Sequence, residues 1–275
     1  MFRRLTGRLG RRGKREYSVV QPDAALTRKA GGHGDHWGCV YREVQRDDLF
    51  NFIRRAIEED ATPDAAGQGI RVYRSTGDGL RVCVLIKDGQ LESAYPEVYG
   101  GPVWPLTITE VVPWANGVEG QLTGTCKGAT VSFLDTCFYA NQRLYRIGET
   151  YNFQMGALAY KVSRAEEMEA ESGTGDSTTK VSFQGARAYM PALLSNERAD
   201  IDDYWFYSPV EAPPSEVEFD GRSLNVLPIT LALPGDFEMS VPLYAAQHTS
   251  GPGMTGIVQG DDLTGFLWLQ GYLEG

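Results

Sequence analysis

Three residues of types that bind transition metals lie within one glycine-rich stretch, GGHGDHWGC at residues 31–39. His33, His36 and Cys39 follow one another at three-residue spacing, and imidazole nitrogens and thiolates are common ligands of Zn²⁺ and related ions. The stretch has no further histidine or cysteine that would complete a ligand set. The residue types therefore permit a metal site here, with the alternative that Trp37 anchors and orders the loop without a metal.

Hydrolytic chemistry needs a nucleophile beside a base. The chain has a single histidine outside that stretch, His248, with Cys137 as a conceivable nucleophile, and no G-x-S-x-G motif surrounds a serine. Acid pairs such as Asp202–Asp203 could work as acid–base groups or bind a cation, but acids in turns commonly satisfy turn amides. We predict no catalytic residue and no cofactor, and keep a hydrolase or metal-dependent enzyme as an alternative.

Basic and aromatic residues alternate in one central segment and could bind single-stranded nucleic acid, which needs aromatic platforms in a basic groove. The residues are Tyr139, Arg143, Tyr145 and Arg146. The N-terminal arm, residues 1–31, adds nine Lys or Arg against two acids, in a chain whose net charge is −10. Its candidate phosphate contacts are Arg3, Arg4, Arg8, Arg11 and Arg12. The competing interpretation is that the aromatic residues are core and the arm is solvated.

Four consecutive aromatic residues follow an acidic turn in the second half of the chain. They are Tyr204, Trp205, Phe206 and Tyr207. Aromatic side chains are enriched at the centres of protein interfaces. The cluster therefore predicts a surface that contacts another protein.

The elements that must position these residues are mostly strands. The chain has 32 Gly and 14 Pro, which favour many short strands and turns. Between residues 119 and 162, apolar residues recur at every second position, the period of a strand with one buried face. We predict a mainly β (α+β) protein built of one or two OB-like, partly open antiparallel barrels, preceded by a short helix-containing part.

Clear turn and periodicity signals divide the chain. The stretch 49–60 has the apolar stripe of a helix, and Gly77-Asp78-Gly79 joins two strand-like runs. Three further strand-like runs cover 223–233, 237–247 and 263–273. The predicted divisions are a basic arm (1–31), an α+β part (32–115), a central β block (116–163), an acidic linker or loop (164–179) and a C-terminal β part (180–275), the last of which could be continuous with 116–163.

Cysteine usage and hydropathy point to a cytoplasmic protein. The four cysteines, at 39, 83, 126 and 137, form no C-x-x-C pair, which favours reduced and mostly buried thiols. No apolar run approaches the ~20 residues that span a bilayer, and the basic N-terminus lacks the apolar core of a secretion signal. We therefore expect a cytoplasmic location.

Two sequence blocks together resemble an uncharacterised family of bacterial proteins. They are ATVSFLDTCFYANQRLYRIGETYNFQMGALAY (129–160) and GDDLTGFLWLQGYL (260–273). The resemblance covers the C-terminal half to two-thirds of the chain. No activity is attached to that family, so the resemblance implies no catalytic residue.

The sequence as a whole favours a non-enzymatic binding or assembly module that acts through protein–protein contacts. Single-stranded nucleic-acid binding through an OB-like face and the basic arm is the first alternative, and an enzyme is the second. The oligomeric state and the identity of the partner are open at this point.

Overall fold

The computed structural model describes residues 33, 36–42, 46–59, 64–67, 69–165, 169–172, 179–195, 199–232 and 237–274. The predicted basic arm, with Arg3, Arg4, Arg8, Arg11 and Arg12, lies outside the described residues.

The described residues form two α-helices and sixteen strands. The helices are α1 (Arg46–Glu59) and α2 (Phe138–Asn141). The strands are β1 (Asp64–Gly67), β2 (Ile70–Arg74), β3 (Leu80–Lys87), β4 (Gln90–Val98), β5 (Val103–Pro113), β6 (Gly120–Cys126), β7 (Ala129–Asp135), β8 (Thr150–Arg164), β9 (Glu169–Ser172), β10 (Thr179–Ser182), β11 (Ala188–Pro191), β12 (Asp203–Pro209), β13 (Ser215–Phe219), β14 (Arg222–Ala232), β15 (Glu238–Ala246) and β16 (Asp262–Leu273). Single 3-10 turns cover Trp37–Cys39, Ala192–Leu194 and Gln247–Thr249.

The N-terminal part is a four-stranded antiparallel sheet, in the order β1-β2-β3-β4, with α1 packed against it. The predicted helix is confirmed, and it begins three residues earlier than its apolar stripe. Ile53 and Ala56 of that stripe are buried, because residues three apart share one helix face.

Five strands close into a barrel. β5 pairs with β6 and β8, β6 pairs with β7, and β16 completes the ring between β7 and β8. Every pair is antiparallel except β16 with β7, and α2 lies in the connection between β7 and β8. This arrangement confirms the OB-like barrel that the periodicity predicts.

The barrel continues into a second curved sheet, because β8 and β16 are long enough to serve both. Beyond the ring, β12 and β11 add to β16, while β15, β14 and β13 add to β8. The two sides approach each other where the Glu211 amide donates to the Pro228 carbonyl at 2.8 Å. The central and C-terminal β parts therefore form one continuous sheet.

Two apolar cores result. The first fills the barrel and the second curved sheet, and it includes Leu122, Phe133 and Phe153, all with no exposed surface. The second lies between the N-terminal sheet and the outside of the barrel, and it includes Tyr95 and Trp268. The second core holds residues 36–42 and the N-terminal sheet against the barrel.

Two tight hairpins join β3 to β4 and β6 to β7. In the first turn φ is 50° at Asp88 and 81° at Gly89, and in the second it is 47° at Lys127 and 83° at Gly128. Two successive positive φ angles are the signature of a two-residue turn that matches strand twist.

Some boundaries differ from those predicted. The barrel begins at β5, within the predicted α+β part, and the predicted linker contains the β9–β10 hairpin. Pro96 lies inside β4. A proline has no amide donor, but it is tolerated here because β4 is an edge strand, whose outer side pairs with no other strand of its sheet. In the described part of the chain, no helix has the length and hydropathy of a transmembrane span.

Candidate functional site

A buried histidine, His33, lies against the outside of the barrel with 4% of its surface exposed. Together with residues 36–42 it forms the N-terminal stretch. Its surroundings come from three elements that are distant in sequence. They are the start of β6 with Glu119 and Gln121, the turn before β12 with Asp200 and Asp202, and β16 with Trp268.

Strand pairing places the acidic turn. Asp203 pairs with Trp268 in the β12–β16 ladder, and the Leu269 amide donates to the Asp202 carbonyl at 2.9 Å. The turn itself is closed by the Asp203 carboxylate, which accepts from the Asp200 amide at 2.7 Å. Aspartates commonly close turns in this way. The same turn leaves the Asp202 side chain facing the barrel and His33.

Asp202 is buried and accepts hydrogen bonds on both oxygens. Trp268 Nε1 donates to Oδ2 at 3.0 Å, and Gln121 Nε2 donates to Oδ1 at 2.8 Å. His33 Nε2 lies 3.2 Å from Oδ1 and 3.1 Å from Oδ2. Gln121 Nε2 also donates to Asp200 Oδ1 at 3.0 Å, which ties the two aspartates together.

His33 and Asp202 each stabilise the charged form of the other. Burial alone would lower the pKa of His33, but the Asp202 carboxylate, with Asp200 and Glu119, raises it above the usual value. Burial alone would raise the pKa of Asp202, but His33 and the Trp268 donor bring it below the usual value. His33 and Asp202 therefore form an enclosed ion pair.

Glu119 fixes the backbone at His33. Its Oε2 accepts from the His33 amide and from Asn116 Nδ2, both at 2.6 Å, and its Oε1 accepts from Ser93 Oγ at 2.6 Å. The carboxylate thus joins the N-terminal stretch, the N-terminal sheet and the barrel. Sequence periodicity does not reveal this role, since Glu119 precedes a strand and looks like a turn residue.

A second buried branch starts at His36. Its Nδ1 lies against the Tyr160 hydroxyl, which donates to Asp203 Oδ1 at 2.9 Å. Burial, together with the nearby His33, lowers the pKa of His36 to about 3, so this imidazole is neutral. Burial and the Asp202 charge raise the pKa of Asp203 to about 7.

The predicted trio of metal-binding residues does not gather into one ligand set in the described part of the chain. His33 faces Asp200 and Asp202, and these three residues offer ligand atoms within 4.8 Å of one another. His36 faces Tyr160, and burial raises the pKa of the Cys39 thiol well above its usual value. The correction is therefore that Asp200 and Asp202, and not His36 and Cys39, offer ligand atoms close to those of His33, although the His33 and His36 rings lie 4.6 Å apart between centroids.

Stacked rings connect this buried site to the surface. His36 stacks on Trp268 at 4.2 Å between centroids and lies 5.6 Å from Tyr160. Tyr160 stacks on Phe266 at 4.6 Å, and Phe266 lies 4.9 Å from Trp205. The row ends at Trp205, which is 38% exposed.

Trp205 belongs to an exposed apolar patch at one edge of the second curved sheet. The patch consists of Met190, Leu193, Leu194 and Trp205, which are 42%, 39%, 74% and 38% exposed. Met190 and Trp205 are direct cross-strand partners, and Trp205 Nε1 donates to Ser195 Oγ at 3.0 Å, which fixes the turn that carries the two leucines.

The predicted aromatic cluster at 204–207 divides between core and surface. Tyr204 and Phe206 are buried, which corrects the prediction that they contact a partner. Tyr207 is partly exposed and lies with Trp205 on the outward face of β12. The reason is the two-residue period of a strand, which turns alternate side chains to opposite faces.

Burial also corrects the two aromatic residues of the predicted nucleic-acid site. Tyr139 and Tyr145 are 7% and 6% exposed, so neither offers a face on which a base could stack. The Tyr145 hydroxyl donates to Asp135 Oδ2 at 2.5 Å, and Tyr139 contacts Arg74. Arg143 is exposed and Arg146 is partly buried, with its Nη1 donating to the Arg143 carbonyl at 2.7 Å.

A second enclosed polar cluster lies between the N-terminal sheet and the barrel. Glu97, with no exposed surface, accepts from Arg74 Nε at 2.9 Å and from Arg81 Nε at 2.6 Å. Cys137 Sγ lies 3.8 Å from Arg74 Nη2, yet burial raises the pKa of that thiol to about 12. His248 contacts the Gly38 carbonyl, at 2.9 Å, and so forms no dyad with Cys137.

Fold and site together define a protein with one closed five-stranded barrel that continues into a second curved sheet, with enclosed ionisable clusters and an exposed apolar patch. Comparison of the chain with protein-family models, curated proteins and solved structures found no match. The resemblance of residues 129–160 and 260–273 to a bacterial family stays a prediction.

Proposed function

We propose that the protein is a cytoplasmic, non-enzymatic binding module that recognises another protein through the apolar patch. The observation that carries this proposal is the exposure of Leu194, at 74%, beside Met190 and Trp205. Large apolar side chains gathered at one place on the surface mark interaction sites more often than scattered ones do.

The two enclosed clusters favour binding over catalysis. Glu97, Asp202 and Glu119 have at most 1% of their surface exposed. A general acid or base must come within hydrogen-bonding distance of its substrate, which these positions do not allow without an opening of the fold. The clusters are better suited to holding the N-terminal stretch and sheet on the barrel.

The partner that we propose is a basic protein that presents apolar side chains. The chain carries a net charge of −10, and residues outside the basic arm carry −17. Two copies of such an acidic body repel each other, whereas a basic partner is attracted and steered to it. The patch contains Trp205, and tryptophan is one of the residue types that most often dominate an interface.

Site-specific photo-crosslinking tests this proposal. A photoreactive residue replaces Leu194 in one variant and Leu91, an exposed leucine of the N-terminal sheet, in the control. We expect position 194, and not position 91, to give one discrete crosslinked product with a basic protein, and the Trp205→Ser change to abolish it.

Three results would contradict the proposal. They are equal crosslinking at both positions, crosslinking of position 194 only to a second copy of the chain, and crosslinking only to nucleic acid. The last result would favour the nucleic-acid alternative.

A further inference from the structure

The ligand atoms beside His33 lie at separations that suit a single metal ion. His33 Nε2 is 3.1 Å from Asp202 Oδ2 and 4.0 Å from Asp200 Oδ2. Two ligands bound at about 2.1 Å to one ion lie about 3.0 Å apart at a right angle and about 4.2 Å apart when opposed. Both observed separations fall between these limits.

The cluster also contains more negative charge than the described residues balance. Glu119 and Asp202 are 1% and 0% exposed, His33 is the cationic partner of Asp202, and no Lys or Arg of the described residues pairs with Glu119. Among the described residues, Glu119 accepts from three neutral donors, the His33 amide, Ser93 Oγ and Asn116 Nδ2. Buried charges in proteins are normally paired with an opposite charge or bound to a metal ion.

Gln121 gives an independent indication. It has no exposed surface, its Nε2 donates to both Asp200 Oδ1 and Asp202 Oδ1, and its Oε1, the other end of the amide, has no partner among the described residues. The two ends of an amide have nearly the same shape and can exchange by a half-turn. With a cation between the aspartates, the exchanged amide places Oε1 among the ligands.

We infer that His33, Asp200 and Asp202, with Gln121 Oε1, form a site for one divalent first-row transition cation. A nitrogen ligand with carboxylate oxygens suits Zn²⁺ or Mn²⁺ better than Ca²⁺ or Mg²⁺, which prefer oxygen-only sites. Trp268 Nε1 orients the Asp202 carboxylate, as outer-shell donors do for metal ligands. The ion joins the N-terminal stretch to the turn before β12.

Metal analysis of the purified full-length chain is the first test. We expect about one equivalent of Zn²⁺ or Mn²⁺ per chain after preparation without chelator, and a raised melting temperature when metal is returned to the chelated protein. Asp200→Asn should weaken metal binding tenfold or more, whereas Asp78→Asn, an exposed control, should leave it unchanged. The proposal is overturned if the chain binds less than 0.1 equivalent of Zn²⁺ and less than 0.1 equivalent of Mn²⁺. It is also overturned if Asp200→Asn and Asp78→Asn bind metal equally well.

Gln121→Glu separates a metal site from a plain ion pair. In a metal site the added carboxylate tightens binding, so returned metal raises the melting temperature of this variant more than that of the parent chain. In a plain ion pair the added buried charge only destabilises, and metal gives no recovery. The second result contradicts the proposal even if the first preparation contains adventitious metal.

Discussion

In the chelated, metal-free protein, the ion pair between His33 and Asp202 leads to a prediction whose size can be worked out from the contacts. In Asp202→Asn the amide keeps the shape of the carboxylate, but it brings an NH₂ group against a site that offers three donors, from His33, Trp268 and Gln121. Removing one partner of a buried ion pair costs about 3–5 kcal/mol. We expect the free energy of unfolding to fall by about that amount at pH 6.

The loss should depend on pH in a defined direction. Because the pKa of Asp202 is lowered from 3.8, its stabilising effect is present above pH 3.8 and disappears as the pH falls through the folded value. Because the pKa of His33 is raised from 6.5, its effect is complete below pH 6.5 and is lost as the pH rises through the folded value. The difference between parent and variant should therefore be largest between about pH 4 and pH 6.5.

Urea denaturation of the chelated protein, followed by tryptophan fluorescence and circular dichroism, measures this difference at a series of pH values. Asp78→Asn, which changes an exposed acid, serves as the control and should shift the midpoint little at any pH. A loss below 1 kcal/mol for Asp202→Asn, or a loss that is the same at pH 5 and pH 9, would refute the enclosed ion pair.

Three further predictions concern the barrel. Burial raises the pKa of Asp135 to about 7, so its carboxyl carbon should titrate near that pH by NMR, and a midpoint below 5 would contradict this. A Cβ at Gly120 would lie 2.5 Å from the Phe138 ring, so Gly120→Ala should lower the free energy of unfolding by about 1–3 kcal/mol. The control is Gly38→Ala, whose Cβ would meet nothing within 4 Å and should leave the free energy of unfolding unchanged. Equal effects of the two substitutions would contradict the packing of Phe138 against Gly120. Tyr145→Phe should lower the free energy of unfolding by about 1–2 kcal/mol, because it leaves Asp135 without its hydroxyl donor. Oligonucleotide binding, measured by filter assay, should not change. Weaker binding by this variant would restore Tyr145 as a nucleic-acid contact.

Much of the fold could be predicted from local sequence signals. Two-residue periodicity gives Val131, Phe133 and Phe153 as core residues, and all three have no exposed surface. Glycine-containing turns such as Lys127-Gly128 give the hairpins. These signals are reliable because each depends on neighbours in the chain or on the next strand.

The site could not be predicted in this way, because its members come from distant segments. His33 and Asp202 are 169 residues apart, and only the closure of β16 against β12 and β8 brings the acidic turn to the N-terminal stretch. In the sequence, Asp202 resembles any acidic residue of a turn. Trp268 reads as core, and its indole donor to Asp202 has no sequence signal.

The aromatic residues show a third limit of sequence reasoning. Tyr204 to Tyr207 form one run in sequence but two faces in the strand, so composition alone overstates the exposed surface. Applying strand alternation to this run would have separated Trp205 from Tyr204. It would not have found Leu193 and Leu194, which reach the patch through a single 3-10 turn.

The central claim is that a basic protein binds at the apolar patch. Its most direct test is the affinity of the purified crosslinked partner, measured by titration calorimetry, for the parent chain, for Leu194→Ser and for Leu91→Ser. We predict that Leu194→Ser raises the dissociation constant at least tenfold, about 1.4 kcal/mol, while Leu91→Ser leaves it unchanged. Equal affinities for all three chains would contradict the claim.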